Sequence, residues 1–257
     1  YAKEGIRVNG DTIYLNQFIK ETRKGTFKGL NNEKLRGFGQ KQKYYPGVPD
    51  IFKNLKAVVE NNPRYQEYNI KVEHYIVSTG MLAIIKGSAV MPYVEAIWGC
   101  EFIEDVDENQ QKIISEIGYT IDNTTKTRAL FEINKGVPQR PDIDVNAKMS
   151  DAYRRVAFPN MIYIADGPSD VPAFSVINKF GGATFAIYPK GNDTAFQQVN
   201  QLREDGRIDM YAEADYREGT TAYMWLTHKV DEMARRIYFA EKESLEGAIS
   251  SAPKHLV

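Results

Sequence analysis

The sequence has little cysteine, little histidine and no long apolar run, and each shortage excludes a class of protein. Cys100 is the only cysteine among 257 residues, so an internal disulfide framework is excluded and a reducing compartment is favoured. The three histidines are too widely spaced to form a zinc site from neighbouring residues. No apolar run approaches the roughly 20 residues of a membrane-spanning helix. The sequence therefore predicts a protein with no membrane segment, and we expect it in the cytoplasm.

The chain also lacks an excess of charge of either sign. It has 33 lysines and arginines against 34 aspartates and glutamates, for a formal charge of −1. No overall field that would attract nucleic acid or a membrane surface is therefore predicted. The exception is the segment from Lys20 to Lys43, where eight basic residues stand against two glutamates, a local excess of +6. We interpret it either as a solvated face or as a cover that draws an anionic substrate toward a site beneath it.

What the sequence does contain is a regular alternation of helix-like and strand-like segments. In residues 1–45, Gly and Asn interrupt segments with helical spacing, which predicts short helices. The alternation of helices and strands begins after them. Strands are predicted at 72–78, 161–165, 183–189 and 209–214, with a hairpin within 100–121. Helices are predicted at 50–60, 81–98 with a bend at Pro92, 126–136 ending at Gly136, from Asp170 onward, 194–204 and 219–240. This pattern predicts an α/β fold, a Rossmann-like three-layer sandwich with a mostly parallel sheet.

Polar residues stand where several of these elements begin or end. Ser78, Thr79 and Gly80 follow the apolar part of the strand predicted at 72–78. Lys126 is the first residue of the helix predicted at 126–136. A hydroxyl beside the free amides of a helix start can bind an anion. Taken singly, the first group is most often a plain turn, and a lysine at a helix start is most often surface charge.

The stretch NMIYIADGPSDVPAF, residues 160–174, carries the strongest signal. Asp166 ends a buried strand, and Asp170 lies in the first turn of the following helix, so both carboxylates can point at one crevice. Carboxylates held that close repel one another unless a cation lies between them, and Mg²⁺ suits two carboxylates plus a phosphate oxygen. The competing interpretation is that Asp170 simply caps its helix.

In this order, the Ser/Thr turn after a strand, the lysine and then ADGPSD after a second strand resemble motifs two, three and four of the haloacid dehalogenase-like (HAD) hydrolase superfamily. The similarity spans roughly residues 46–180. The last motif of that superfamily often begins with glycine, whereas this chain has Ala165. Residues 1–45 resemble the type-one helical cap, which implies a partial cap at 1–45 and a HAD-like α/β core at 46–257.

The resemblance implies a Mg²⁺-dependent phosphoric monoester hydrolase that acts on a small phosphorylated substrate through an aspartyl-phosphate. Ser78 would hydrogen-bond a phosphoryl oxygen, with Thr79 and Gly80 in the same substrate-binding turn. Lys126 would neutralise the phosphate and the nucleophile. Asp166 would coordinate Mg²⁺, and Asp170 would do so directly or through water.

The nucleophile motif of that superfamily, Asp-x-Asp after an apolar strand, is absent from this chain. Its two Asp-x-Asp pairs, 105–107 and 142–144, follow no suitable strand and come after the second motif, so we assign neither a catalytic role. One expectation is that an upstream segment holds the first core strand and the nucleophile, so that the chain as given is inactive and its sheet has a gap. The alternative is a non-catalytic phosphate-binding or scaffold protein on a HAD fold.

Overall fold

A computed structural model describes residues 2–250 and divides the chain into two compact units. The first unit comprises the residues up to Tyr44 together with His74–Ala212. The second comprises Tyr45–Glu73 together with the chain from Glu213 onward. All the sequence-predicted site residues belong to the first unit.

The regular elements of the first unit alternate between helices and strands. Its helices are α1 (Ile13–Arg23), α2 (Asn32–Gly39), α5 (Leu82–Lys86), α6 (Thr125–Lys135), α7 (Val171–Lys179) and α8 (Asp193–Glu204). Its strands are β1 (Tyr75–Met81), β2 (Ala96–Val106), β3 (Lys112–Tyr119), β4 (Ile162–Ala165), β5 (Ala183–Tyr188) and β6 (Met210–Glu213), the last of which reaches the unit boundary. Short 3-10 turns lie at Ala2–Glu4, Met91–Tyr93, Asp151–Tyr153, Phe158–Asn160 and Pro168–Asp170.

The strands described in residues 2–250 form two three-stranded sheets. In the first, with the order β1-β2-β3, β1 is parallel to β2 and β2 is antiparallel to β3, so the predicted hairpin is confirmed. In the second, with the order β4-β5-β6, β4 is parallel to β5. The observed class is therefore α/β with parallel and mixed sheets, and it is compatible with a Rossmann-like sandwich.

Apolar side chains of α6 and α7 join the two sheets into one core region. Leu130 and Ile133 of α6 and Ala173 and Ile177 of α7 are buried together, and Val77 of β1 packs against this cluster. On the other side of α7, Phe174 packs with β5 and α8. The N-terminal helices α1 and α2 pack with β2 and β3 in a third cluster. Burial of these side chains is the main favourable term in folding this unit.

The second unit consists of α3 (Asp50–Glu60), α4 (Pro63–Glu67) and the long α9 (Thr221–Ser250). Ile51, Leu55 and Val59 of α3 are buried at helical spacing, as the sequence predicts. The Tyr65 hydroxyl of α4 donates a hydrogen bond to Asp231 of α9 at 2.8 Å. None of the helices described in residues 2–250 is long and apolar enough to cross a membrane.

The predicted helix at 81–98 is wrong over most of its length. Only α5 is helical there; a 3-10 turn at Met91–Tyr93 follows, and β2 starts at Ala96. Close packing against α2 explains the early stop, since a Cβ on Gly87 would lie 1.8 Å from the carbonyl oxygen of Arg36. Tertiary pairing of β2 with β1 then overrides the helix-like spacing of the apolar residues.

Candidate functional site

The start of α6 is held by Asp122, and this places Lys126 in the first turn of the helix. The Asp122 carboxylate accepts hydrogen bonds from the Thr125 amide at 2.7 Å and from the Thr124 amide at 3.0 Å. The backbone hydrogen bond from Thr125 is the main reason why the pKa of Asp122 is lowered. A carboxylate at this position satisfies amides that the helix itself cannot pair.

Lys126 forms a buried ion pair with Asp170, 44 residues further along the chain. Its Nζ donates to Asp170 Oδ1 at 2.6 Å, and the two side chains are 7% and 5% exposed. Lys126 therefore is not the exposed surface charge that a lone lysine usually is. The pair brings together the first turns of α6 and α7. A buried pair of this kind stabilises a structure only when further hydrogen bonds satisfy it.

Two hydroxyl groups complete the surroundings of Asp170. The Tyr163 hydroxyl of β4 donates to the same oxygen, Oδ1, at 2.6 Å, and the Ser169 hydroxyl lies 3.1 Å from Oδ2. Burial raises the pKa of Tyr163 well above its ordinary value, and the negative charges of Asp170 and then Asp166 add to this effect. Tyr163 is therefore held as a neutral donor to the carboxylate.

Asp170 does not cap α7 with its side chain. It occupies the residue position before Val171, but its carboxylate makes no capping hydrogen bond to the first turn of the helix. The side chain turns instead toward Lys126 and Tyr163. The capping interpretation is therefore wrong for the side chain of Asp170.

Asp166 is the more open of the two carboxylates. It follows directly on β4 and is exposed, whereas Asp170 is 3% exposed. Its charge contributes to the raised pKa of Tyr163, so it acts on the same surroundings. No group of three histidine, cysteine or acidic residues suited to a metal ion occurs within residues 2–250. Asp166 and Asp170 could each supply carboxylate oxygens to a hard cation that takes its other ligands from water or substrate.

The sequence predicts that the strand ends at the Ser78-Thr79-Gly80 turn, but these residues lie inside β1, which continues to Met81, in an irregular part of the strand. Val77 pairs with Trp98 and Met81 with Cys100, so the three turn residues face a single residue of β2. Ser78 Oγ accepts a hydrogen bond from the Gly80 amide at 3.0 Å. The backbone therefore bulges away from the ladder at this point, and bulges of this kind often redirect side chains next to functional sites.

Cys100 links this turn to the start of α6. Its Sγ donates to the Thr79 carbonyl oxygen at 3.3 Å and accepts from the Ile121 amide at 3.3 Å, just before Asp122. Tyr14 of α1 donates its hydroxyl proton to the same Thr79 oxygen at 2.7 Å. Burial is the first reason why the pKa of Tyr14 is raised, and the neighbouring Cys100 adds to it. The carboxyl end of β1 and the first turns of α6 and α7 therefore meet in one region.

The predicted site residues are thus brought together only in part. Lys126 and Asp170 are in direct contact, and Asp166 lies close enough to act on Tyr163. Within the described residues 2–250, Ser78 hydrogen-bonds inside its own turn and makes no hydrogen bond to Lys126 or to either aspartate. Sequence reasoning missed Tyr163, although a hydroxyl in the otherwise apolar run MIYIA needs a buried partner.

Comparison with known proteins finds a similar protein that matches most of the chain. The chain is 34% identical over 244 residues to an uncharacterized protein of Borreliella burgdorferi, and the match covers 90% of this chain and 82% of the relative. No protein-family model and no solved structure matches the chain. At that identity and coverage, the chain belongs to the same protein family as the Borreliella burgdorferi protein.

Proposed function

We propose that this protein has the HAD fold and that its site serves Mg²⁺-dependent hydrolysis of phosphoric monoesters. The observation that carries the proposal is the buried contact between Lys126 and Asp170, with Tyr163 on the same carboxylate oxygen. A cation held at a fixed position beside carboxylates is what phosphoryl transfer requires, because charge on the phosphoryl oxygens must be neutralised in place. The substrate class is a small phosphorylated molecule.

Each residue then has a definite task. Lys126 is oriented by Asp170 so that the remaining protons of its ammonium group can reach a phosphoryl oxygen. Asp166 supplies the main carboxylate ligand to Mg²⁺, and Asp170 acts mainly through Lys126 because three donors already surround its oxygens. The Ser78 hydroxyl proton is not used by the Gly80 amide, which is itself a donor, so it can be donated to a phosphoryl oxygen.

The sheet edges support the proposal as well. β1 and β4 are both edge strands of their sheets, and both pack under α6 and α7. β4 is nonetheless apolar and partly open, with Ile164 39% exposed, whereas β5 beside it is almost entirely buried. A parallel strand between β1 and β4 would join the two sheets into the single sheet of a Rossmann-like three-layer sandwich. In the proposed fold, that strand carries the aspartate nucleophile.

The N-terminal segment fits the role of a partial cap. The Asn9 side chain donates to Asp122 at 2.9 Å, the Asp11 carboxylate accepts from the Asn123 amide at 3.1 Å, and Tyr14 reaches Thr79. These contacts fasten the beginning of α1 to the rim of the site, where a cap selects substrates. The basic segment that follows, from Lys20 to Lys43, would then favour anionic substrates.

A non-catalytic phosphate-binding protein is the second candidate, and the position of the Asp-x-Asp pairs favours it. Asp105 is the second-last residue of β2 and Asp107 lies in the hairpin turn, while Asp142 and Asp144 lie in the loop after α6. None of the four stands at the carboxyl end of a strand next to Lys126. On either hypothesis, the 257-residue chain binds phosphate with Mg²⁺ but does not turn substrate over.

The first experiment measures binding of Mg²⁺ and inorganic phosphate to this chain by calorimetry. We expect phosphate binding that strengthens with Mg²⁺ and a loss of this Mg²⁺ effect in Asp166→Asn, a substitution at an exposed residue that should leave folding intact. Asp193→Asn, an exposed carboxylate at the start of α8, is the matched control and should bind as the unaltered chain does. An equal Mg²⁺ effect in both variants would overturn the metal assignment.

A second experiment separates the enzyme from the binder. Hydrolysis of an aryl phosphate is measured with Mg²⁺ and with EDTA for two proteins. One is this chain, and the other is a longer form in which the coding sequence upstream of Tyr1 adds an apolar run followed by Asp-x-Asp. The enzyme hypothesis predicts Mg²⁺-dependent release of phosphate by the longer form alone. Upstream sequence without such a run, or a longer form that binds phosphate without turnover, favours the binder.

A further inference from the structure

A second cluster of charge lies at the other end of α6, around a small hollow. The hollow has a volume of about 150 Å³ and is lined by Lys135, Gly136, Gln139, Arg140, Tyr153 and Arg155. Three of these six residues have cationic side chains and none is acidic. Since Lys126 and Lys135 are nine residues apart on one helix, the two ends are separated by roughly 13 Å. The hollow is therefore distinct from the site at Lys126.

The end of α6 does not need these cations for its own capping. Gly136 has a left-handed backbone, with φ of 81°, and its amide donates to the Glu132 carbonyl oxygen at 3.0 Å. The Val137 amide donates to the same oxygen at 2.9 Å. These are the bonds by which a glycine after a helix satisfies its last carbonyl groups. The Glu132 carbonyl group is therefore satisfied by backbone amides and not by these side chains.

Lys135 is a buried lysine of this lining, and its hydrogen bonds within residues 2–250 go to backbone carbonyl groups. It is 7% exposed, and its Nζ donates to the backbone carbonyl oxygens of Val145 and Ala147. Among residues 2–250, no acidic side chain forms an ion pair with it. An anion nearby lowers the cost of burying an ammonium group whose hydrogen-bond partners are all neutral.

The rim of the hollow presents groups that recognise oxyanions. Arg140 is exposed and follows the glycine turn, and its planar guanidinium can donate two parallel hydrogen bonds to one phosphate or carboxylate. The side chain of Arg155 lies across Gly136, where an added Cβ would come within 2.9 Å of it. Tyr153, 82% exposed, adds a phenol hydroxyl at the edge.

We propose that this hollow is a second binding site for a small oxyanion, a phosphoryl or carboxylate group, held by Arg140 beside Lys135. A site there would place an anion against the loop that follows α6, at the opposite end from Lys126. It does not depend on Mg²⁺ or on the proposed hydrolase activity.

Calorimetric titrations in EDTA test the site, because the Mg²⁺ effect at Asp166 is then suppressed. Inorganic phosphate and acetate are titrated separately into the 257-residue chain and into Arg140→Gln. We expect phosphate to bind and the Arg140→Gln variant to bind it about tenfold more weakly, as is usual when a charge-assisted hydrogen bond is lost. Arg203→Gln, which removes an exposed arginine from the last turn of α8, is the control and should leave the affinity unchanged.

The two titrants distinguish the chemical source of the anion. Within the binding that Arg140→Gln weakens, higher affinity for phosphate than for acetate assigns a phosphoryl ligand, and the reverse assigns a carboxylate ligand. If Arg140→Gln and Arg203→Gln lowered the affinity for the anion equally, the binding would be due to general surface charge, and the proposal would be overturned. Absence of binding of either anion at millimolar concentration in EDTA would overturn it as well.

Discussion

Replacing Lys126 by methionine removes one charge of the buried pair while keeping an unbranched apolar side chain. Asp170 would then remain 3% exposed, with only the Tyr163 and Ser169 hydroxyl groups near its oxygens. Removal of one partner from a buried pair typically costs 3–5 kcal/mol. Because two hydroxyl donors stay in place, we expect the lower end, about 3 kcal/mol, out of a total stability of about 5–15 kcal/mol.

The double variant Lys126→Met/Asp170→Leu separates the pair interaction from the cost of leaving a charge alone. Replacing both members of a buried ion pair by apolar groups is often neutral. We therefore expect the double variant to regain most of the stability that the single variant loses. In a double-mutant cycle, this appears as a coupling energy of about 2–3 kcal/mol between two residues in direct contact.

Urea unfolding followed by circular dichroism measures both quantities from the midpoint and the slope. Lys24→Met is the matched control, since Lys24 pairs with Glu21 at 3.1 Å but its side chain is 65% exposed. Loss of that surface pair should be too small to resolve in the same curves. If Lys126→Met were no more destabilising than Lys24→Met, Lys126 and Asp170 would not be the buried, interdependent pair on which the site assignment depends.

Three further substitutions test other parts of the first unit. Tyr163→Phe removes the hydroxyl that donates to the Asp170 carboxylate, and we expect the free energy of unfolding in urea to fall by about 2 kcal/mol. An unchanged unfolding midpoint would contradict that hydrogen bond. Gly87→Ala should cost about 3 kcal/mol or more, because its Cβ would lie 1.8 Å from a carbonyl oxygen of α2, whereas Gly10→Ala, with open space around it, should cost far less. The backbone hydrogen bond from Thr125 lowers the folded-state pKa of Asp122. The ionised Asp122 carboxylate therefore stabilises the fold above the ordinary carboxyl pKa of about 4, and this stabilisation is lost as pH falls through the lower folded-state pKa. The difference in stability between the unaltered chain and Asp122→Asn should therefore narrow in acid, and a constant difference from pH 6 to pH 2 would contradict this assignment.

Local patterns account for much of the fold. The helix ending at Gly136 is predicted by a glycine after a run of helical spacing, and the structure confirms it with φ of 81° at that residue. The hairpin in residues 100–121 is predicted by two apolar runs around a polar turn, and it is confirmed as β2 and β3. Both features depend on neighbours in sequence, so their signals are complete within a short window.

The helix predicted at 81–98 fails for the opposite reason. Its apolar spacing is compatible with a helix, but Gly87 must contact the backbone of Arg36, which lies 51 positions earlier in the chain. The strand that begins at Ala96 is formed because it pairs with β1. Neither requirement is visible in the window itself, so periodicity favoured the wrong element.

The sequence by itself determined which chemical groups stand close to the ends of elements: the Ser78 hydroxyl near the end of β1, the carboxylates of Asp166 after β4 and Asp170 before α7, and Lys126 at the start of α6. Residue type and local spacing suffice for that, because each group is defined by its own short segment. Only the tertiary structure decided that Lys126 meets Asp170 at 2.6 Å, that Tyr163 donates to the same oxygen, and that β1 and β4 belong to separate sheets. Those contacts depend on how α6 and α7 pack over the strands, and packing is a property of the whole unit.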